Sequence, residues 1–260
     1  MKNKYLKPFY DSVYKKGERG HYTKLRLAGR KLAADRAAVL EERTWRGKTV
    51  LDVGCGTGET VYHIARRGAR RVVGLDYSAQ AIAVARETYR HRNLFFEKKD
   101  VRDVREKFDV IFTMGTLEHM DHPLPLLKKL KALLNPGGSL IVTSPNWSNP
   151  RGYVLLTLFF LFKARITLAD LHHFTPVEFI GWAKKLGMKL QWRTVDQEWS
   201  HGEKLVRDFA RRLPNVARDS KLPTTQKEIN AFIRWITTHI IPLERDAPHT
   251  GAIGVYHFRK

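Results

Sequence analysis

In the stretch TVLDVGCGTGET, Thr49 to Thr60, an acid and three glycines alternate as Asp52, Gly54, Gly56 and Gly58 directly after an apolar run. Glycine lets the backbone adopt positive φ and pass close to a ligand, while a carboxylate at a strand end offers acceptors to a cation. A dinucleotide fingerprint would need a further glycine at the position of Glu59, where a carboxylate repels a pyrophosphate. No Gly-Lys-Ser/Thr closes the loop as a P-loop requires. The spacing therefore predicts a ligand without phosphate at this point and with positive charge. A bare strand-to-helix turn would not need three alternating glycines. Two further acids end apolar runs, Asp76 in VVGLDYS and Asp100 in KKDVRD. Asp76 could equally be a helix N-terminal acid favoured by the macrodipole, and Asp103 lies close enough to compete with Asp100. Cys55 has no base beside it in sequence and reads as a small loop residue rather than a nucleophile.

The elements that must position these groups alternate strand and helix. TVLDV, RVVGLD, NLFFEKK, FDVIFTM and SLIVTS read as strands, and ETVYHIARRG has helical spacing with a stop at Gly68. Ser78 is placed to cap the helix AQAIAVARETYRH, and another helix is expected from Pro123 to Leu134 before an NPGG turn. Strands joined by helical crossovers imply a doubly wound, mostly parallel α/β sheet with helices on both faces. Its ligands sit beyond the carboxyl ends of the strands, at the switch point. TPVEFIGWAKKLG then reads as a helix, MKLQWRTV as a sixth strand, residues 199–248 as helical, and GAIGVYHF as a seventh strand. The expected organisation is an N-terminal helical arm over 1–44, a core over 45–198, and a helical insertion plus last strand over 199–260 that complete the same domain.

Composition narrows the classes. A chain of 260 residues with 43% hydrophobic residues can bury a full core. The single cysteine excludes an intramolecular disulfide and a cysteine-based zinc site, and fits a reducing, cytoplasmic location. The N-terminal stretch lacks the apolar region of a secretory signal. The longest apolar run, YVLLTLFFLF, is far short of the roughly 20 residues a membrane-spanning helix needs. With 47 Lys+Arg against 26 Asp+Glu, the charge of +21 attracts nucleic acid, anionic lipid or acidic substrates without choosing among them, or serves only solubility. Residues 1–48 hold 14 Lys/Arg and 5 Asp/Glu, with aromatic residues interleaved that could stack on bases or pack a helix face.

Taken together and in order, these pieces resemble the class I S-adenosylmethionine-dependent methyltransferases over residues 45–195, with a Rossmann-like, seven-stranded sheet. The resemblance implies S-adenosylmethionine as cofactor. It implies that Asp52, Gly54, Cys55, Gly56 and Gly58 form the loop around the methionine part, that Asp76, with Tyr77, holds the ribose hydroxyls, and that Asp100, with Val101, holds the adenine. Met114 and the following GTLEHMDHP would line the methyl-transfer face. TLEHMDHP is further similar to the branch of ubiquinone and menaquinone biosynthesis O-methyltransferases. Some members of that branch hold a divalent metal with a glutamate three residues before the Glu-His pair, and Gly115 stands at that position here, so no metal is expected.

His119 is then a candidate general base on a phenol or hydroxyl, since histidine changes charge near neutral pH; Glu118 and His119 could equally only brace the loop. His172 and His173 in LADLHHFTP either face the acceptor pocket or pack the junction into the next helix. The apolar segment at about 151–170 is either a packed helix or lid, or an interfacial element whose Arg151, Lys163 and Arg165 would meet an anionic membrane and suit a lipid-like acceptor. The expected activity is methyl transfer to a small apolar or aromatic acceptor, at oxygen. The alternatives are a methyltransferase of RNA or protein that uses the basic surface, and a non-catalytic binder. No recognised RNA-binding module and no Asn-Pro-Pro-Tyr motif follow the fourth strand, and the intact loop and acids disfavour lost cofactor binding.

Overall fold

In the computed structural model, which describes residues 32–42, 44–167, 170–242 and 247–260, the run Thr49–Val53 is strand β1, with all five residues buried. A strand covered on both faces is apolar along most of its length, which is why TVLDV carries Val50, Leu51 and Val53 in place of a regular polar alternation. Helix α1 (Ala34–Glu41) precedes it, and the rest of the expected arm, residues 1–31, lies outside the described residues. There follow α2 (Glu59–Arg66), β2 (Arg71–Asp76), α3 (Ala79–Thr88), β3 (Leu94–Lys98), β4 (Phe108–Met114), α4 (Pro123–Ala132) and β5 (Leu134–Pro145). The second half holds α5 (Pro150–Phe162), α6 (Pro176–Leu186), β6 (Lys189–Val195), α7 (Gln197–Ser200), α8 (Glu203–Asp219), α9 (Gln226–Trp235) and β7 (Ile253–Arg259).

The seven strands form one sheet in the order β3-β2-β1-β4-β5-β7-β6. β1 pairs in parallel with β2 and with β4, β2 with β3, and β4 with β5. The chain winds outward from β1 to β3 and then returns to β4 on the other side. The switch point thus falls between β1 and β4, and a doubly wound sheet opens a crevice there at the strands' carboxyl ends. The expected strands and helices are present with boundaries moved by a few residues. The NPGG turn differs, because it is absorbed into the long strand β5.

The described residues divide into two compact units, one of those up to 144 with 179–191 and 255–260, the other of those within 145–178 and 192–254. In the first, Trp45, Val50, Leu51, Phe108 and Phe112 are buried, and Phe179 stacks on Tyr256 with ring centroids 3.5 Å apart. The Asp109 carboxylate accepts the Thr49 amide N–H at 2.8 Å and the Asn135 amide at 2.8 Å, which ties the β1, β4 and β5 amino ends together.

The second unit has its own apolar core of Leu155, Ile166, Leu205, Phe209 and Leu213. Helix α5 starts where Asn149 caps the Gly152 N–H at 2.8 Å and Pro150 occupies the first turn, a position that lacks an intrahelical partner anyway. Asp208, fully buried on α8, pairs with Arg151 at 3.0 Å and Arg212 at 3.1 Å. Burial pushes its carboxyl up, but the bonds from Arg212 and Arg151 outweigh burial and hold it below the usual carboxylate range. The apolar segment proves two-sided: Leu155 is buried, whereas Tyr153, Phe160, Leu161 and Phe162 are exposed. Among the described residues no helix is long and apolar enough to cross a membrane.

Candidate cofactor and methyl-transfer site

The carboxyl ends of β1, β2 and β4 converge on the glycine loop. Gly54, Gly56 and Gly58 have φ of +85°, +53° and +86°, the left-handed region that side chains with a Cβ resist. The loop is pinned from beneath by the Leu75 carbonyl, which accepts the N–H of Gly54 at 2.8 Å and of Cys55 at 2.9 Å. It is pinned from the side by Asp76, whose carboxylate accepts the Gly56 N–H at 2.9 Å and the Ser78 N–H at 2.8 Å. Ser78 in turn caps α3 by accepting the Ala81 N–H at 3.2 Å, so the strand end, the loop and the next helix share one bonded corner.

Space around the loop is as restricted as its backbone. A Cβ on Gly54 would come within 2.6 Å of Thr116 Oγ1, and one on Gly58 within 2.5 Å of the Phe96 ring. A Cβ on Gly74, in mid-strand opposite Asp52, would meet Cys55 Sγ at 2.9 Å. These contacts bring β3 and the segment after β4 against the loop. Phe96 and Gly74 are therefore residues against the loop that sequence reasoning missed, whereas Thr116 lies in the GTLEHMDHP segment already expected to line the site. A glycine inside a strand does mark close approach and could have pointed to Gly74, but nothing in sequence marks Phe96.

Electrostatically the floor is acidic. Asp52 is 3% exposed, its Oδ1 has no hydrogen-bond partner, and burial followed by the charge of Asp76 drives its carboxyl well above the usual range, against a smaller pull from Arg36. A buried oxygen without a donor is costly, and a cationic ligand over this loop would relieve it. Glu59, the residue that spoils a dinucleotide fingerprint, is paired with Arg36 at 3.0 Å. Burial, then Asp52 and Asp76, push the Cys55 thiol up, away from the thiolate a nucleophile needs.

Asp100 stands after β3 and caps the short turn Val101–Asp103, accepting the Arg102 N–H at 2.9 Å and its guanidinium Nε at 3.0 Å. The Arg102 side-chain bond holds its carboxyl below the usual range. Asp103 is exposed, and its N–H donates to the Asp100 carbonyl at 3.0 Å. Tyr77 and Val101 are half-buried beside the two acids, as is Met114 at the end of β4. After Met114, Gly115 turns the chain at φ +56° into the short helical turn Leu117–His119. Glu118 and His119 are both buried there, and the Ser144 hydroxyl at the end of β5 donates to Glu118 at 3.2 Å.

His172 and His173 belong to the second unit. His172 stacks on Phe174, and His173 packs between Trp147 and Phe159 with centroids 4.7 and 4.8 Å away. Burial lowers the His173 pKa. Among the described residues no group of three or more His, Cys, Asp or Glu is placed to hold a metal ion.

The loop and its acids thus suit a ligand with a cationic centre and hydroxyl groups, and comparison with known proteins agrees. The methyltransferase-domain family matches residues 45–175. A ubiquinone biosynthesis O-methyltransferase of Actinobacillus pleuropneumoniae is 31% identical over 159 residues, covering 56% of this chain and 67% of that protein. One from Sodalis glossinidius is 31% identical over 155 residues, covering 56% of this chain and 61% of that protein. The match therefore spans about two thirds of these relatives' length. The crystal structure of an S-adenosylmethionine-dependent methyltransferase of Thermotoga maritima, described as a possible histamine N-methyltransferase, superposes with a TM-score of 0.59 at 16% identity. It covers 96% of this chain and 98% of that one, a likeness of fold. The chain belongs to the class I S-adenosylmethionine-dependent methyltransferases, and S-adenosylmethionine is its methyl donor.

Proposed function

We propose that this methyltransferase acts on an oxygen of a small apolar or aromatic acceptor, with His119 taking the proton that the acceptor hydroxyl loses. The observation that carries this reading is the buried Glu118–His119 turn directly after β4, joined through Thr116 to the glycine loop. Its residues sit where a methyl-transfer face is expected, and the curated relatives named above are O-methyltransferases of ubiquinone biosynthesis. In this reading the loop of Asp52, Gly54, Cys55, Gly56 and Gly58 holds the methionine part of the donor. Asp76, beside Tyr77, holds the ribose; Asp100 and Val101 hold the adenine; and Met114 lines the transfer face. The sulfonium supplies an activated methyl group, so the protein's tasks are alignment, exclusion of water and proton removal.

Glu118, fixed by Ser144, limits the freedom of the turn and hence of the His119 ring. Exposed Phe160, Leu161 and Phe162 at the end of α5, followed by Lys163, support an acceptor met at or near an anionic lipid surface. The test is S-adenosylhomocysteine release with a panel of phenols and catechols, with and without prenyl chains, free and in vesicles. His119→Ala should lower kcat about 100-fold or more on the best acceptor while donor affinity is unchanged. An unchanged kcat would remove His119 from the chemistry, and turnover on amines alone would contradict the oxygen assignment.

A further inference from the structure

At the opposite end of the sheet from the glycine loop, the first unit has an open groove of about 1050 Å³ whose walls include Arg66, Arg70, Arg71, Arg92, Phe95 and Glu106. It borders Thr49, the first residue of β1, and Arg71, the first of β2, so it lies at the strands' amino ends. At about 3.3 Å per residue, β1 alone separates it from the cofactor loop by on the order of 15 Å. It is a different place from the methyl-transfer site.

The groove is basic by construction. Four of the six residues from Arg66 to Arg71 are arginines, and the facing segment reads Arg90, His91, Arg92. Arg66, Arg67, Arg70, Arg90 and Arg92 are exposed, and Glu106 is the single acid among the described residues that line it. That acid is committed: it pairs with Arg71 at 3.3 Å. The paired Arg71 lies over one face of the Phe95 ring, 4.4 Å from its centroid, and the ring stays 41% exposed. The wall is also fixed. The Asn93 side-chain amide donates to the carbonyls of Ala65 and Ala69, and the Asn93 backbone carbonyl accepts the Val72 N–H at 2.8 Å, which locks the start of β3 to the arginine-bearing turn.

Exposed guanidiniums around a concave wall take phosphates, and an exposed ring backed by a guanidinium takes a flat π-face. We infer that this groove binds single-stranded nucleic acid, with Arg70, Arg92 and their neighbours on consecutive phosphates and a base stacked on Phe95. An anionic bilayer is the poorer fit, because it offers nothing planar to stack on the exposed Phe95 ring. The inference is independent of which acceptor is methylated.

The experiment is fluorescence anisotropy of the full chain with a labelled twelve-nucleotide oligouridine, titrated at several salt concentrations. Arg70→Ala with Arg92→Ala should weaken binding at least tenfold and flatten the log Kd against log salt slope by about 1.4, roughly 0.7 for each phosphate no longer neutralised. Phe95→Ala should weaken binding about 5- to 100-fold and leave that slope unchanged. Lys184→Ala with Lys185→Ala, which removes the same charge from exposed positions on α6, should change affinity less than twofold beyond the general electrostatic effect. Thermal melting and S-adenosylmethionine affinity, unchanged in the groove variants, show that the fold is intact. Equal losses in the groove and control pairs, or no effect of Phe95→Ala, would overturn the inference. So would uridine monophosphate binding as tightly as the oligomer, or groove-dependent binding to phosphatidylserine vesicles without binding to oligouridine.

Discussion

The Asp76 carboxylate at the end of β2 accepts the backbone N–H of Gly56 at 2.9 Å, so the acid proposed to hold the ribose also holds the loop proposed to surround the methionine part. One side chain thereby couples the two halves of the proposed donor site. Its other oxygen accepts the Ser78 N–H at 2.8 Å. Asp76→Ala should therefore lose donor affinity by about 100-fold, and also destabilise the free protein by about 1–3 kcal/mol, because two loop donors lose their acceptor. Asp76→Asn, which keeps one acceptor oxygen, should fall between. Calorimetry and chemical denaturation of the three proteins check both halves. Lost affinity with unchanged stability would mean that the Gly56 and Ser78 bonds contribute nothing.

Gly58 tests whether the loop's shape or its sequence matters. At φ +86°, with a Cβ position 2.5 Å from the Phe96 ring, Gly58→Ala should destabilise by about 1–2 kcal/mol from backbone strain alone and more from the clash. Phe96→Leu should recover the clash part and not the strain part. A double-mutant cycle by denaturation would show a coupling above about 0.5 kcal/mol if the contact is real.

Asp52 makes the stability of the free protein depend on pH in an unusual direction. Burial and Asp76 raise its folded pKa above the ordinary 3.8, so between the two values the folded state binds more protons than the unfolded state. Stability from this group is then present at low pH and lost as pH rises through the folded pKa. Asp52→Asn should flatten that fall in Tm as pH rises above the ordinary carboxylate range, and should weaken S-adenosylmethionine binding. A wild-type Tm no more pH-dependent than the variant's would contradict it.

In the second unit, Leu155 and Phe160 lie on the same helix with opposite surroundings. Leu155→Ala opens a cavity in a closed core and should cost about 2–5 kcal/mol. Phe160→Ser with Leu161→Ser touches exposed side chains and should change stability by less than about 1 kcal/mol. The same pair should raise KM for an apolar acceptor while leaving donor affinity alone. Equal destabilisation by both variants would make the whole helix core.

The buried Asp208 predicts the ordinary acid behaviour. Its lowered folded pKa gives stability that is present above the unfolded value and lost as pH falls below it through the folded pKa. Asp208→Ala should destabilise by about 3–5 kcal/mol, because Arg151 and Arg212 lose their shared partner. Urea denaturation at a series of pH values from neutral into the acid range should show the wild type losing, below the unfolded carboxylate value, stability that Asp208→Ala lacks at every pH; parallel curves would contradict it.

The sheet was legible because its central strands are largely apolar and the neighbouring helices are punctuated by Gly68 and Ser78, signals that act over a few residues. The glycine loop and Asp76 were legible for the same reason. Contacts between distant segments were not: Thr116 against Gly54, Phe96 against Gly58, and the Arg151–Asp208–Arg212 cluster join residues up to tens of positions apart, with no local pattern to mark them. Helix α5 shows a different limit. Its composition is apolar all round, so periodicity could not separate buried Leu155 from exposed Leu161. The basic groove was hidden in the overall charge of +21, because only folding sets the Arg66–Arg71 turn against Arg92 and Phe95.

The donor site is tested most directly by calorimetric titration of the full chain with S-adenosylmethionine and S-adenosylhomocysteine, repeated with Asp76→Ala. Saturable one-to-one binding of both ligands by the wild type, and its loss in the variant, is the expected result. Undiminished binding in Asp76→Ala would contradict the placement of the donor at the carboxyl ends of β1 and β2.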